Sequence, residues 1–234
     1  MKIVRTVLRW FLIALAALFA IAVFYQAWIY THIVWWKSHN PATTSFMESR
    51  LGGLRENNPK AALKQQWVDY GKISVHLKRA LIVSEDDTFV EHEGFNWEAM
   101  QKALEKNQKK GKVVAGGSTI SQQLAKNLFL SGSRSMLRKA QEAVITVMLE
   151  SVLDKQRIFE IYLNVIEWGD GIFGAEAAAR HYYGISAAQL SPEQGAKLAA
   201  MVPRPRFYDR NRNAPWLLKK TEIILTRMPQ AEVP

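Results

Sequence analysis

One segment near the start of the sequence is apolar for long enough to cross a lipid bilayer. Residues 10–25 carry no polar side chain except the terminal tyrosine hydroxyl, and after Gln26 the apolar character continues to Trp36, broken only by Thr31 and His32. The hydrocarbon core of a bilayer requires about 20 predominantly apolar residues in a helix. The sequence therefore predicts a transmembrane helix over residues 10–36.

The flanks of this segment indicate its orientation. Lys2, Arg5 and Arg9 precede it, and aromatic residues typical of a membrane interface crowd its far end: Tyr25, Trp28, Tyr30, Trp35 and Trp36. Because basic flanks stay on the cytoplasmic side, residues 1–9 are predicted to be cytoplasmic and the bulk of the chain external. The alternative is a cleaved signal peptide, since residues 20–22 have the small side chains of a cleavage site. The apolar run continues well past them, which favours an anchor.

The charge of the chain indicates an anionic partner. The net charge is +10, and residues 1–37 contribute four of these positive charges, so the remaining domain is basic in its own right. Nucleic acid, acidic lipid and a phosphorylated substrate all fit a basic domain. The absence of cysteine excludes disulfides and thiolate metal sites.

The rest of the chain is predicted to be one mainly helical domain. Residues 37–59 resemble a connector, with Pro41, Gly52-Gly53 and Asn57-Asn58-Pro59, and the domain is expected to span residues 60–234. Helices are predicted to begin at Ser74, Asn96 and Ser191, at Thr119 with Gln122 in capping-box spacing, and after Asn213. Two more helices are predicted over residues 137–153 and 156–165.

The predicted helix that follows Ser74 ends in three acids, Glu85-Asp86-Asp87. The negative end of the helix dipole and the neighbouring carboxylates both disfavour ionisation there. One of these groups would then accept protons more readily than a free carboxylate, as a general base requires. The alternative is a solvated acidic turn, and charge pattern alone does not exclude it.

The segment after Gly116-Gly117 combines an apolar and a polar helical stripe. Ser118, Gln122 and Lys126 recur every four residues, offset from the apolar stripe, so they are predicted to face away from the core. The helix N-terminus after the glycines is a place where backbone N–H groups can receive a phosphate. The segment lacks the ending of a nucleotide P-loop, which argues against ATP. The alternative is an ordinary amphipathic surface helix.

A cationic cluster follows, with Arg134, Arg138 and Lys139 before Glu142. Arg138 and Glu142 have the spacing of an ordinary helical ion pair. The functional alternative places Glu142 as a second carboxylate at the wall of a basic cleft. Spacing alone does not choose between them.

Taken together, these segments resemble the peptidoglycan glycosyltransferase domain of glycosyltransferase family 51, over about residues 60–228. The resemblance rests on five motifs in order: Glu85-Asp86-x-x-Phe89-x-x-His92-x-Gly94; Gly116-Gly117-Ser118-Thr119-Ile120-Ser121-Gln122-Gln123-x-x-Lys126-Asn127; Arg138-Lys139-x-x-Glu142; Lys155-x-x-Ile158-x-Glu160-x-Tyr162-Leu163-Asn164; and Gly174, Ala177–Ala179, Tyr182-Tyr183-Gly184 and Leu190-Ser191.

This resemblance implies a fold and a reaction. The expected fold is mainly α, lysozyme-like, with a small jaw subdomain. The expected donor is a glycan chain on undecaprenyl pyrophosphate, the expected acceptor is the lipid-linked disaccharide-pentapeptide, lipid II, and the product is an inverted β-1,4 bond. The expected location is the bacterial inner membrane with the catalytic domain outside. Other cell-wall synthesis proteins are conceivable partners, and nucleic acid is not expected.

The resemblance also implies residue roles. Glu85 is expected to be the general base, and Glu142 a second catalytic acid that positions cations or holds a divalent metal. Substrate-binding roles are expected for Asp86, Ser118, Gln122, Lys126, Arg134, Arg138 and Lys139. No cofactor is required, although a magnesium or manganese ion on the pyrophosphate is left open.

Two features bear on alternative functions. No Ser-x-x-Lys occurs in the sequence, so polymerisation without transpeptidation is expected. A lysozyme-like lytic glycosidase and a non-catalytic membrane scaffold are the rival hypotheses. A pyrophosphate-binding set of cations argues against the glycosidase, and the scaffold predicts lipid binding that survives loss of Glu85.

Overall fold

The computed structural model describes residues 2–112, 116–130, 132 and 135–234. The chain separates into two compact units, Met1–His39 and Asn40–Pro234. The first consists mainly of helix α1 (Lys2–Trp35). Its Val4–Trp35 portion is long and apolar enough to cross a membrane, and an 18-residue window within it has a mean hydropathy of 2.5. The helix begins earlier than the predicted span because the basic flank is helical as well.

The second unit is mainly helical, as predicted. Its described α-helices are α2 (Ser45–Asn57), α3 (Val75–Glu85), α4 (Trp97–Lys110), α5 (Ile120–Phe129), α6 (Met136–Val152), α7 (Lys155–Val165), α8 (Ala175–Tyr183), α9 (Pro192–Met201), α10 (Pro205–Arg210) and α11 (Pro215–Arg227). Short 3-10 turns occupy Tyr70–Lys72, Ala187–Gln189 and Met228–Gln230.

Three very short strands form a small sheet in the same unit. These are β1 (Lys64–Gln65), β2 (Glu167–Gly169) and β3 (Ile172–Phe173), in the order β1-β3-β2. β1 pairs with β3 in parallel, with Lys64 opposite Ile172, and β2 pairs with β3 antiparallel. The sheet ties the chain before α3 to the hairpin that follows α7.

The helix starts predicted from capping residues are confirmed. The side chains of Ser74, Asn96 and Ser191 each accept a hydrogen bond from a backbone N–H of the helix that follows. Thr119 and Gln122 form the complete capping box at the start of α5, with both reciprocal bonds present. Such caps satisfy the first N–H groups of a helix locally, which is why sequence spacing predicts them.

The segment predicted as a connector instead contains α2. Thr44 caps this helix by accepting the Met47 N–H at 3.1 Å, and Met47 is buried. The glycine pair in the middle of α2 lowers its intrinsic helix propensity. Packing of α2 against α5 compensates for that loss.

Helix α5 lies in the interior, and this corrects one prediction. It packs against α2, α6 and α7, which cover Gln122 of the predicted polar stripe, whereas Ser118 is exposed and Lys126 is partly exposed. Gln122 is only 1% exposed, and Ser121 is buried with its hydroxyl donating to Glu150. The apolar stripe therefore identified one buried face, and the prediction that the polar stripe faces away from the core is wrong at Gln122.

A second group of helices holds the end of α3 in place. α3 packs against α9 and α11, and those two helices pack against each other. Gly195 permits the close approach of α9, because a Cβ there would lie 2.9 Å from the backbone nitrogen of Leu77. The C-terminus of α3 is thereby fixed between α5 on one side and α11 on the other.

Candidate active site

Glu85 is the last residue of α3, and its carboxylate lies in a largely buried position with defined partners. Gln123 Nε2 donates to Oε2 at 3.1 Å, and Ser84 Oγ donates to Oε1 at 3.0 Å. Lys220 Nζ of α11 is 3.8 Å from Oε1. The side chain is 11% exposed, so the carboxylate is held by protein groups while remaining reachable.

Burial raises the pKa of Glu85 above its usual value. Desolvation is the largest cause, and Asp86 adds a small effect in the same direction. Lys220, Gln123 and Ser84 oppose the rise because each favours the charged form. The prediction that this carboxyl accepts protons readily therefore rests mainly on burial rather than on neighbouring carboxylates. A general base at neutral pH requires such a group.

Asp86 directs both of its carboxylate oxygens to protein donors. Ile120 N, in the first turn of α5, donates to Oδ2 at 3.0 Å, and His92 Nε2 lies 2.9 Å from Oδ1. Gly94 N donates to His92 Nδ1, which assigns the ring proton to Nε2. Asp86 thus joins the end of α3 to the start of α5. These contacts support a structural role, and its predicted substrate contact stays a prediction.

The N-terminus of α5 accordingly holds a carboxylate of the protein. Sequence spacing suggested a phosphate there, but the Ile120 N–H bonds Asp86 and the Gln122 N–H bonds Thr119. A carboxylate at a helix N-terminus gains from the same dipole that would attract a phosphate. The preceding residues Gly116–Ser118 instead line a cleft.

This cleft, of about 140 Å³, runs between the end of α3 and the Gly116–Ser118 loop. Glu85 and Ser118 both line it, together with Asn96, which caps α4, and Ala99 of α4. Gly117 lies so close to α4 that a Cβ would come within 2.9 Å of Met100 Cα. The glycine thus lets α4 approach the loop closely.

The two glutamines of the Gly-Gly segment have different roles. Gln122, predicted to bind substrate, accepts the Thr119 N–H at 3.1 Å within the capping box and is buried. Gln123 instead reaches Glu85, and Tyr162 OH donates to its Oε1 at 3.0 Å. The tyrosine fixes the amide orientation, so Nε2 must point toward Glu85. Gln123 is therefore the glutamine that reaches the candidate site.

The predicted cationic residues that the structure describes form one cluster near the cleft. Arg138 Nη1 is 2.6 Å from Glu142 Oε2, and Lys139 Nζ contacts Glu142 Oε1. Lys139 Nζ also lies 3.4 Å from Ser118 Oγ, which connects the cluster to the cleft. Glu142 is buried between the two cations. The i,i+4 ion pair that the sequence suggested is present, and the role of Glu142 at the wall of a basic cleft stays a prediction.

Lys126 completes this cluster from α5. Burial lowers the pKa of Lys126, and the neighbouring Arg138 and Lys139 lower it further, while Glu142 opposes them. Among the described residues, the Lys126 ammonium has no hydrogen-bond acceptor. A desolvated ammonium beside two other cations is stabilised when an anion binds. The arrangement therefore favours a polyanionic ligand.

Two other predicted features have different outcomes. Arg134 lies outside the described residues. Within the described part of the chain, no group of three or more His, Asp or Glu side chains is arranged to hold a metal. Both Glu142 oxygens accept from cations.

Sequence reasoning missed Gln123 and Lys220. Gln123 stands in a recognised motif, but the four-residue polar repeat selected its neighbour. Lys220 lies on α11 at i+3 from Leu217 and i−4 from Ile224, both buried. This spacing places a lysine on the apolar face of an amphipathic helix, and that pattern could have identified Lys220 from the sequence.

Comparison with known proteins adds an independent finding. Residues 54–229 match the sequence model of a family described as transglycosylase. A protein of Laribacter hongkongensis named biosynthetic peptidoglycan transglycosylase is 62% identical over 227 residues, covering 97% of this chain and 100% of that protein. Proteins of the same name from Nitrosospira multiformis and Janthinobacterium sp. are 62% and 59% identical, and they cover 97% and 100% of this chain, and 98% and 100% of their own lengths.

Proposed function

This chain belongs to the transglycosylase family of peptidoglycan glycosyltransferases, and we propose that it polymerises lipid II into β-1,4 glycan strands with Glu85 as general base. The observation that carries the residue assignment is a desolvated carboxylate with a cluster of cations close to it. The Glu85 carboxylate lines the cleft. The cluster of three cations lies close to it, because Lys139 reaches Ser118 of the cleft and Lys126 interacts electrostatically with Glu85. A sugar-pyrophosphate donor and a hydroxyl acceptor require these two kinds of group.

In the proposed step, the Glu85 carboxylate removes the proton from the 4-hydroxyl of the acceptor sugar. The acceptor oxygen forms a bond to the anomeric carbon of the donor, and the bond from that carbon to the pyrophosphate oxygen breaks. The pyrophosphate leaves with the electron pair, and the proton remains on Glu85 until solvent removes it. Direct displacement converts the α-linkage into a β-linkage, as an inverting transfer requires.

The leaving group gains negative charge during this step, and the cation cluster stabilises it. Lys126, Arg138 and Lys139 supply the positive charge, and Arg134 is proposed to join them. Ser118 is placed beside Lys139 to donate to a phosphate or sugar oxygen. Glu142 holds Arg138 and Lys139 in place, so we assign it a positioning role in addition to its charge.

We propose that no metal bound by Glu142 takes part in the transfer. The chemistry of the donor set supports this, because a single carboxylate already paired with two cations is a poor ligand for a divalent ion. The three cations perform the charge neutralisation that a divalent ion would otherwise supply.

The first unit is proposed to be a single-pass anchor in the inner membrane, with residues 40–234 on the external side. The length and apolar character of α1 and the basic residues before it support this proposal. Both proposed substrates are lipids of the same membrane, so an anchor keeps enzyme and substrate in one plane and raises their effective concentration.

A polymerisation assay tests the proposal. The full chain in detergent is given lipid II, and products are resolved by length beside the Glu85→Gln variant. Glu91→Gln, at an exposed acid of the same region, is the matched control. Long strands from the wild type and the control, with none from Glu85→Gln, are expected. Shortening of preformed glycan without synthesis would indicate a lytic glycosidase, and lipid binding without any product would indicate a scaffold.

A further inference from the structure

Lys220 occupies an unusual place for a lysine in the closing helix. α11 buries Leu217 and Ile224 against the rest of the domain, and Lys220 lies on the same face between them. Its side chain is 20% exposed, whereas the adjacent Lys219 is exposed to solvent. Two neighbouring lysines of one helix therefore occupy different environments. Only Lys220 points toward α3.

The Lys220 ammonium faces Glu85. Nζ is 3.8 Å from Oε1, and this is the only ion pair that Glu85 makes within the described residues. Lys220 also lies 5.6 Å from the centre of the Trp216 ring, which leaves the ammonium between an aromatic face and the carboxylate. A cation in such a place is held by its surroundings rather than by solvent.

Other charged and titratable groups also face Glu85. From α5 and α7 come Lys126 and Tyr162, which interact electrostatically with it, and Gln123, which donates to Oε2. On its own element Asp86 is the adjacent acid, but its oxygens are directed to His92 and Ile120. Lys126 belongs to the cation cluster around Glu142. Lys220 is thus the cation assigned to Glu85 itself.

Electrostatics gives this pair a consequence for catalysis. Burial raises the pKa of Glu85, and a protonated carboxyl cannot accept a proton from the sugar hydroxyl. Lys220 is the largest influence that lowers the pKa again. Burial lowers the pKa of Lys220, and Glu85 opposes that change, so each group favours the charged form of the other.

We propose that Lys220 is a positioning residue for the glycosyl transfer, which keeps Glu85 ionised inside the desolvated cleft. This inference rests on the proposed function, because it assigns Lys220 a role through the proposed base. Lys220 acts through the carboxylate and is not required to contact a sugar. Its loss should therefore change the dependence of the rate on pH before it changes substrate binding.

The test is a pH profile of polymerisation by the full chain in detergent. Lys220→Met is expected to lose about tenfold in kcat near pH 6 and to lie within about twofold of wild type near pH 9, because the carboxyl without its cation stays protonated to higher pH. Lys220→Arg should restore the wild-type profile, and Lys219→Met is the matched control with no expected change. Lys220→Gln is a second neutral variant, so that a folding failure of one variant leaves the comparison intact.

A uniform loss at all pH values, or a rise in KM without a shift of the profile, would overturn the proposal. Carbon NMR of labelled glutamate carboxyls gives a readout without substrate, with Glu85→Gln assigning the resonance. Lys220→Met should move the Glu85 titration to higher pH, and an unmoved titration overturns the proposal. If the wild type made no glycan, the proposed function would fail, whereas this titration would still decide whether Lys220 holds Glu85 ionised.

Discussion

Replacing Asp86 with asparagine tests whether this side chain supports the site or contacts the substrate. Its carboxylate accepts from Ile120 N at one oxygen and from His92 Nε2 at the other, and it is 2% exposed. His92 cannot shift its proton to Nδ1, because that atom accepts the Gly94 N–H. Asparagine offers one oxygen to two donors, so one N–H would face an NH2 group in a buried position.

The cost follows from these contacts. A hydrogen bond to a charged group contributes about 1.5–3 kcal/mol, and a carboxylate at a helix N-terminus adds about 0.5 kcal/mol. Losing one bond, and turning the other into a neutral bond, should lower the free energy of unfolding by about 3 kcal/mol. For a domain of about 200 residues, this corresponds to a fall of about 6–12 °C in Tm.

Thermal unfolding of the full chain in detergent, followed by far-UV circular dichroism, measures this change. Asp87→Asn is the matched control, because Asp87 is 55% exposed and pairs with Arg227 at the surface. An exposed pair contributes less than about 1 kcal/mol, so the control should keep nearly the wild-type Tm. If Asp86→Asn kept the wild-type Tm and lost lipid II binding, Asp86 would contact the substrate, and the argument from its protein donors would be wrong.

Three further predictions separate neighbouring roles. Gln122→Ala should lower the free energy of unfolding by about 1–2 kcal/mol and retain catalysis. Gln123→Ala should lower kcat by about 10–100-fold, because it removes a donor from Glu85. Unfolding and glycan assays measure both variants, and equal effects of the two would contradict the assignment. Lys126→Arg should move the alkaline limb of kcat/KM to higher pH, because burial lowers the pKa of Lys126 whereas a guanidinium stays charged; an unmoved limb in the pH–rate profile would exclude Lys126 as its source. Glu142→Gln should lower the free energy of unfolding by roughly 3 kcal/mol, because it leaves two cations unpaired. It should reduce polymerisation less than Glu85→Gln does, and a chelator should not change the activity. Rescue of the variant by magnesium would instead indicate a metal site.

Sequence patterns best predicted the structural features that depend on only a few neighbouring residues. Helix caps at Ser74, Asn96 and Ser191 involve atoms within one turn, so their spacing identifies them without knowledge of the fold. Helix α2 was missed because its stability depends on packing against α5, whereas Gly52 and Gly53 locally disfavour a helix. The family motifs supplied the general architecture that local patterns could not.

The candidate site shows the same division. The position of Glu85 at a helix end was predictable, and so was the pairing of Arg138 with Glu142. The sequence pattern selected Gln122 as a site residue, whereas the structure shows Gln123 in contact with Glu85. Which glutamine reaches the site depends on which side of α5 each neighbouring helix covers, and the spacing of one polar stripe does not contain that information. Lys220 comes from a helix more than a hundred residues away in the sequence, so only the packing of α11 against α3 reveals it.

Helix α5 has a consequence for a reaction that repeats many times on one strand. Its start is fixed by the capping box and by Asp86, and Ser121 fixes its side against Glu150. Gln123 contacts the proposed base, and Lys126 belongs to the cluster for the leaving group, three residues or about 4.5 Å further along the helix axis. In the proposed mechanism, the contact to the base and one cation for the leaving pyrophosphate are therefore joined by one helix rather than by a loop. Under that mechanism, we expect every added sugar to meet Gln123 and Lys126 at the same spacing.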